Sequence, residues 1–103
     1  MNWVEVCEAS GIEKESVIRF DHAGRTLAVY RGPDDRYFAT DGLCTHEGVH
    51  LSDGIVMDDT VECPKHSGLF NYMTGEAMGA PVFINLKTYP TKIENGKLFV
   101  AIC

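Results

Sequence analysis

Two cysteine–histidine pairs constrain the fold of this chain more than any other feature. They are Cys44-Thr45-His46 and Cys63-Pro64-Lys65-His66, and residues 47–62 lie between them. Each pair offers one thiolate and one imidazole, a donor set that suits either a tetrahedral zinc ion or an iron–sulfur cluster. If the four side chains bind one metal centre, the fold has to bring the two loops together.

The spacing of the first pair favours a cluster over a single ion. Zinc modules usually place two or more residues between the ligands of a pair, whereas only Thr45 separates Cys44 from His46. Neighbouring side chains on so short a spacing must diverge. A two-iron cluster has room for that divergence, because one iron can take both cysteines and the other both histidines.

The residues around the pairs form an insert, defined here as residues 42–81, that differs in composition from the rest of the chain. It holds six of the ten glycines, three of the four histidines and two of the four cysteines. Such a composition predicts a loop-rich segment between two strand-rich flanks. Because loops on a rigid scaffold carry most binding sites, we expect the insert to be the functional part.

The flanks contain short β-prone runs separated by turn residues, and no stretch keeps a 3.6-residue apolar period over three turns. This pattern predicts an all-β fold. The only helix candidate, Glu8 to Glu15, has too few apolar anchors for more than about a turn. The predicted strands are Trp3 to Cys7, Val17 to Phe20, Arg25 to Tyr30, Tyr37 to Thr40, Lys92 to Glu94 and Lys97 to Ile102.

Turn residues predict how these strands connect. Asp21-His22-Ala23-Gly24 and Arg31-Gly32-Pro33-Asp34-Asp35 predict two consecutive hairpins. Asn95-Gly96 predicts a third hairpin with a type I′ turn, because both residues tolerate positive φ angles.

Size and charge exclude several classes of function. The chain has 103 residues, enough for one domain, and its 9 Lys and Arg against 15 Asp and Glu give a net charge of −6. No basic block is present, so nucleic acid and anionic membranes are poor partners. No apolar run approaches the roughly 18 residues of a membrane span. The amino terminus, Met1 to Val6, lacks the basic patch, long apolar stretch and small-residue cleavage site of a secretory signal. We expect a soluble cytoplasmic protein whose cysteines are thiols or metal ligands.

The two pairs resemble the ligand signature of Rieske [2Fe–2S] proteins. The wider runs Asp41 to Glu47, Glu62 to Gly68 and Tyr72 to Ala77 resemble the ferredoxin components of bacterial multicomponent ring-hydroxylating oxygenases. Within that group, Ile18 to His22 and Asn85 to Pro90 are similar to ferredoxins of the rhizopine-catabolism type.

The resemblance implies a single Rieske domain over residues 1–103, built of stacked antiparallel sheets, with a cluster-binding subdomain at about 42–81. It implies one [2Fe–2S] cluster. Cys44 and Cys63 then bind the inner iron, and His46 and His66 bind the outer, solvent-facing iron. Pro81 resembles part of the third loop that covers Rieske clusters.

Departures from the respiratory Rieske pattern predict a low reduction potential. Val49 and Lys65 stand where that branch has two further cysteines, which form a disulfide between the loops. Gly68 and Phe70 stand where it has a serine and a tyrosine that donate hydrogen bonds near the cluster. Without those donors, added negative charge is less stabilised, and we expect a potential of roughly −150 mV, the bottom of the Rieske range.

By the same resemblance the protein is an electron carrier. Its expected donor is an NAD(P)H-dependent ferredoxin reductase and its expected acceptor is a terminal oxygenase. The sequence contains no dinucleotide fingerprint or phosphate-binding loop, so we expect no enzymatic activity. Two alternatives remain: a structural zinc-binding interaction module, and the cluster-free Rieske-like subunit of some nitrite reductases, which the presence of all four ligands disfavours.

The remaining histidines and cysteines have no assigned role. His50 is expected to be a solvent-facing loop histidine, and His22 to lie in a turn. Cys7 and Cys103 are expected to be small buried or idle thiols.

Overall fold

Antiparallel pairing accounts for all three sheets of the protein. The computed structural model describes residues 2–46, 48–65 and 67–102. The sheets have the strand orders β1-β10-β9, β2-β3-β4-β8 and β5-β6-β7. The strands are β1 Asn2–Glu8, β2 Ser16–His22, β3 Arg25–Arg31, β4 Tyr37–Asp41, β5 Ile55–Met57, β6 Thr60–Glu62, β7 Leu69–Asn71, β8 Thr88–Tyr89, β9 Thr91–Glu94 and β10 Lys97–Ile102.

The predicted hairpins are confirmed. β2, β3 and β4 are consecutive antiparallel neighbours, and the turn between β2 and β3 consists of Ala23 and Gly24, with φ angles of 49° and 81°. Asn95 and Gly96 have φ angles of 52° and 76° between β9 and β10. Positive φ at both central residues is the geometry of a type I′ turn, which matches the twist of the strands.

Strand β3 separates two hydrophobic cores. Leu27 and Val29 pack with Leu98 and other residues of the β1-β10-β9 sheet, whereas Ala28 and Tyr30 pack toward the insert. Because successive residues of a strand face opposite sides, one strand supplies side chains to both cores. The insert therefore packs directly on an inner strand of the four-stranded sheet.

Several short elements differ from the sequence predictions. The insert contains strands β5, β6 and β7, each three residues long, where the sequence predicted only loops. Segments this short show no measurable alternation. The helix candidate Glu8 to Glu15 forms one 3-10 turn, Ala9–Gly11, and a second 3-10 turn covers Leu51–Asp53. In the part of the chain described, no helix has the length and apolar character needed to cross a bilayer.

Candidate metal centre

The first ligand loop follows β4 and is closed by backbone hydrogen bonds. Leu43 and His50 form an isolated β-bridge at its base. The Cys44 amide donates to the Val49 carbonyl at 2.8 Å, and the Gly48 amide donates back to the Cys44 carbonyl at 2.9 Å. These bonds place the Cys44 side chain at the base of the loop, where it is only 3% exposed.

The second ligand loop connects β6 to β7 and repeats this closure. The Cys63 amide donates to the Gly68 carbonyl at 2.7 Å, again five residues further along the chain. Cys63 is 1% exposed. Cys44 and Cys63 thus occupy equivalent positions in two loops of the same kind.

The structure brings the two predicted cysteine ligands into one buried cluster, together with Leu51, Phe70 and Val82. His46 lies two residues beyond Cys44 in the first loop and is exposed. The fourth predicted ligand, His66, lies outside the described residues. Within the described ranges, no three His, Cys, Asp or Glu side chains are grouped closely enough to hold a single metal ion.

A third segment, residues 78–84, closes over both loops. The Thr45 hydroxyl donates to the Ile84 carbonyl at 2.7 Å, which links this segment to the first loop. On the second loop, a Cβ added to Gly68 would lie 2.6 Å from Val82 Cγ1, so the bare backbone packs against Val82. Pro81 precedes Val82 and is half-buried, as expected of a residue in a covering loop.

This arrangement fits a Rieske-type cluster in the chemistry of its donors. Two buried thiols in the core and one exposed imidazole at the loop surface match a centre whose cysteine side faces the protein and whose histidine side faces solvent. The Thr45 bond and the Val82 contact join the three segments that would surround such a centre.

The comparisons with known proteins agree with this geometry. Residues 2–90 match the family model described as the Rieske [2Fe-2S] domain. The chain belongs to the Rieske [2Fe–2S] family.

Relatives of this Rieske protein are ferredoxin components of dioxygenase systems. The ferredoxin component of the naphthalene 1,2-dioxygenase system of Pseudomonas putida is 41% identical over 100 residues, which cover 97% of this chain and 95% of the relative. The ferredoxin of Sphingomonas yanoikuyae B1 superposes with a TM-score of 0.91 at 34% identity, covering 99% of this chain and all of that one.

A second solved structure shows such a ferredoxin with its partner. It is the complex of reduced oxygenase and oxidized ferredoxin in carbazole 1,9a-dioxygenase, with a TM-score of 0.91, 36% identity and coverage of 96% of this chain and 92% of the matched one. This Rieske protein is accordingly a ferredoxin with one [2Fe–2S] cluster, an electron carrier and not an enzyme. The alternative of a structural zinc module receives no support.

The solvent-facing interpretation of His50 is wrong. The residue is only 6% exposed in the Rieske ferredoxin, and both ring nitrogens are hydrogen-bonded. Burial and the nearby Arg19 hold the pKa of His50 below its ordinary value of 6.5. This burial could not be predicted from neighbouring residues, because the hydroxyl partner of His50, Thr26, lies 24 residues away along the chain, in β3.

Cys7 and His22, which also had no assigned role, lie outside the ligand loops. Cys7 is half-buried beside the flank core, where burial, with a smaller contribution from Glu8, raises the pKa of its thiol. The prediction that His22 lies in a turn is wrong, because His22 is the last residue of β2 and pairs with Arg25 of β3. Its ring is exposed and stacks on Phe20, with 6.1 Å between centroids. Cys103 lies outside the described residues.

Proposed function

We propose that this Rieske ferredoxin carries single electrons from an NAD(P)H-dependent ferredoxin reductase to a terminal oxygenase in the cytoplasm. One observation carries the proposal: two buried cysteines occupy equivalent positions in two loops beside an exposed histidine. The naming of the relatives as dioxygenase ferredoxin components supports the choice of partners. We further propose that residues 1–103 form one Rieske domain, with the cluster-binding subdomain at about 42–81.

The four ligands in this proposal are Cys44, His46, Cys63 and His66. When bound there, the cluster takes up and releases one electron at a time. Cys44 and Cys63 exclude water from the inner side of the site, because both lie in the hydrophobic core. His46 is exposed, so its side of the site is accessible to a docked protein.

The terminal oxygenase docks, in this proposal, on an apolar rim around the ligand loops. We define the rim by four exposed residues: Leu43 from the first loop, and Met78, Phe83 and Ile84 from the third segment. Phe83 and Ile84 are 79% and 67% exposed. The bond from Thr45 to the Ile84 carbonyl holds the third segment against the first loop. Exposed apolar side chains grouped on one surface typically mark a protein-binding site.

Electron paramagnetic resonance of the dithionite-reduced protein at low temperature tests the cluster, with iron, sulfide and zinc measured in the same sample. We expect a rhombic spectrum with an average g value below that of all-cysteine clusters, and two irons per chain. One zinc without sulfide would overturn the proposal.

Single replacements test the ligand set against matched controls. We expect Cys63→Ser and His66→Ala to lose the visible absorbance of the cluster, and Cys44→Ser and His46→Ala to do the same. Cys7→Ser and His22→Ala are the controls, because neither residue lies in a ligand loop. A ligand variant with full iron content would remove that residue from the set.

A double replacement tests the rim. Phe83→Ser with Ile84→Ser is expected to slow electron transfer to the oxygenase component, while the resonance spectrum and the reduction potential stay unchanged. Ile93→Ser is the control, because Ile93 is also exposed but lies on β9 in a different sheet. Equal transfer rates in the two variants would exclude the rim as the docking surface.

A further inference from the structure

His50 connects the first ligand loop to the four-stranded sheet through its side chain. Its Nε2 lies 2.8 Å from Thr26 Oγ1 on β3. Its Nδ1 accepts a hydrogen bond of 3.1 Å from the Ser52 amide. A buried polar side chain with a partner on each ring nitrogen is satisfied, and removing either partner carries a cost.

These two bonds fix the tautomer of the ring. The Ser52 amide can only donate, so Nδ1 carries a lone pair and the proton of the neutral imidazole is on Nε2. Nε2 therefore donates to the Thr26 hydroxyl. Thr26 in turn donates to the carboxylate of Asp21, its cross-strand partner on β2, and this bond lowers the pKa of Asp21.

The backbone around His50 closes the base of the same loop. Leu51 N donates to the Gly42 carbonyl at 2.8 Å, and Gly42 N donates to the Thr26 carbonyl at 2.9 Å. Gly42 also makes room for the ring, because a Cβ at that position would lie 2.4 Å from His50 Nε2. Ring and backbone thus hold both ends of the loop, Gly42 and His50, to Thr26.

We propose that His50 is a positioning residue for the cluster, which holds the first ligand loop to β3 through Thr26 in its Nε2-protonated neutral form. The inference rests on the proposed function, because it requires Cys44 and His46 to be ligands. The hydrogen bond between His50 and Thr26 helps to retain the cluster by holding the loop, and neither side chain contacts the metal.

Acid conditions oppose this arrangement. A second proton can enter the ring only at Nδ1, where it would displace the Ser52 amide. The charged groups facing the ring are Arg19 and Asp21 from β2 and Asp53 from the adjacent 3-10 turn, while β3 contributes the uncharged Thr26. Because the pKa of His50 is lowered in the folded protein, this neutral form is fully populated above pH 6.5 and its contribution is lost as pH falls below that value.

The test measures the rate of cluster loss from the holoprotein by visible absorbance. His50→Asn keeps an acceptor for Ser52 but cannot reach Thr26, and Thr26→Val removes the other half of the pair. We expect each variant to lose the cluster roughly fivefold faster than wild type, the effect of one hydrogen bond. The double variant should lose the cluster no faster than either single variant, because both changes remove the same hydrogen bond. Thr26→Ser keeps the hydroxyl and should lose the cluster at the wild-type rate.

Three readouts separate positioning from a general loss of stability. The paramagnetic resonance lines of reduced His50→Asn should be broader than those of wild type, because the first ligand loop is held less firmly. Those of His22→Asn, an exposed control, should not be. The acceleration of cluster loss below pH 6.5 should be weaker in His50→Asn than in wild type. Nitrogen nuclear magnetic resonance of wild-type His50 should show an unprotonated Nδ1.

Additive effects in the double variant, or a protonated Nδ1 at neutral pH, would overturn the inference. So would wild-type retention and spectra in both single variants. A wild-type protein without iron would instead overturn the proposed function, so the two failures are distinguishable.

Discussion

The flanks and the insert are stabilised in different ways. In the flanks, β2 and β3 are seven residues long and pack on a core of aliphatic side chains such as Leu27, Val29 and Leu98. In the insert, each strand has three residues, and two of the buried core members are cysteines. Three residues is the lower limit of the usual strand length, so the sheet of the insert has few backbone hydrogen bonds in each ladder.

The difference teaches that the flanks of this Rieske ferredoxin have a core made of their own side chains, whereas the insert, under the proposed function, is completed by its cofactor. The flank core is formed by side chains that need no partner beyond each other. The core of the insert includes Cys44 and Cys63, whose proposed role is to bind iron. Metal binding and local folding are then the same event in the insert.

Removing the cluster should destabilise the insert and leave the flanks folded. After chelation of the iron, we expect amides of β5, β6 and β7 to exchange on the order of 100-fold faster, while amides of β3 keep their protection. Hydrogen exchange with mass spectrometry measures both in one sample. Uniform acceleration in flanks and insert would contradict the comparison.

A cavity in the flank core should destabilise the whole protein. Leu98 is fully buried, and Leu98→Ala is expected to cost about 2–5 kcal/mol in the free energy of unfolding. The resonance spectrum of the folded variant should be unchanged. Its control is Ile93→Ala, because Ile93 pairs with Leu98 across the hairpin but is exposed, and chemical denaturation should find a cost of less than about 1 kcal/mol.

Two glycines with positive φ sharpen the comparison. Gly96→Ala in the flank hairpin meets open space, so we expect only the backbone cost of about 1 kcal/mol. Gly75→Ala in the insert adds a Cβ that would lie 2.2 Å from the Leu86 carbonyl oxygen, and a cost of roughly 3 kcal/mol or more is expected. Faster cluster loss should accompany Gly75→Ala alone. Equal losses of thermal stability in the two variants would show that the insert accommodates the added Cβ as easily as the flank hairpin does.

The smallest expected effect is on the reduction potential. Phe70 is fully buried in the core that contains Cys44 and Cys63. Phe70→Tyr adds a hydroxyl donor there, which favours the reduced, more negative state, and voltammetry should show a rise of about 40 mV, equivalent to roughly 1 kcal/mol. Phe20→Tyr in the flank is the control. A fall in potential would contradict the prediction that the lack of hydroxyl donors at Gly68 and Phe70 lowers the reduction potential.

Local sequence signals predicted the flanks well. Alternation and turn residues such as Ala23-Gly24 and Asn95-Gly96 determine hairpins through neighbouring residues, so β2 to β4 and β9 to β10 could be predicted. The pairing of β1 with β10 had no such signal, because its partners lie at opposite ends of the chain.

For the candidate site, the sequence predicted the four ligand residues but not the contacts that position them. The cysteine and histidine spacing indicated the cluster, and the structure brings Cys44 and Cys63 together. The contacts that organise the loops, Thr45 to Ile84 and His50 to Thr26, join residues distant in sequence and could not be predicted.

The pairing of β1 with β10 also has a consequence for how the chain folds. Asn2 lies opposite Ile102, so this ladder closes a loop of almost the entire chain. Closing a long loop costs entropy before its contacts form, and contacts of high sequence separation slow folding. The local β2-β3-β4 hairpins are thus expected to form before the first strand joins the last one. Closing the β1-β10-β9 sheet is then a late, cooperative step that commits the flank core to its final packing.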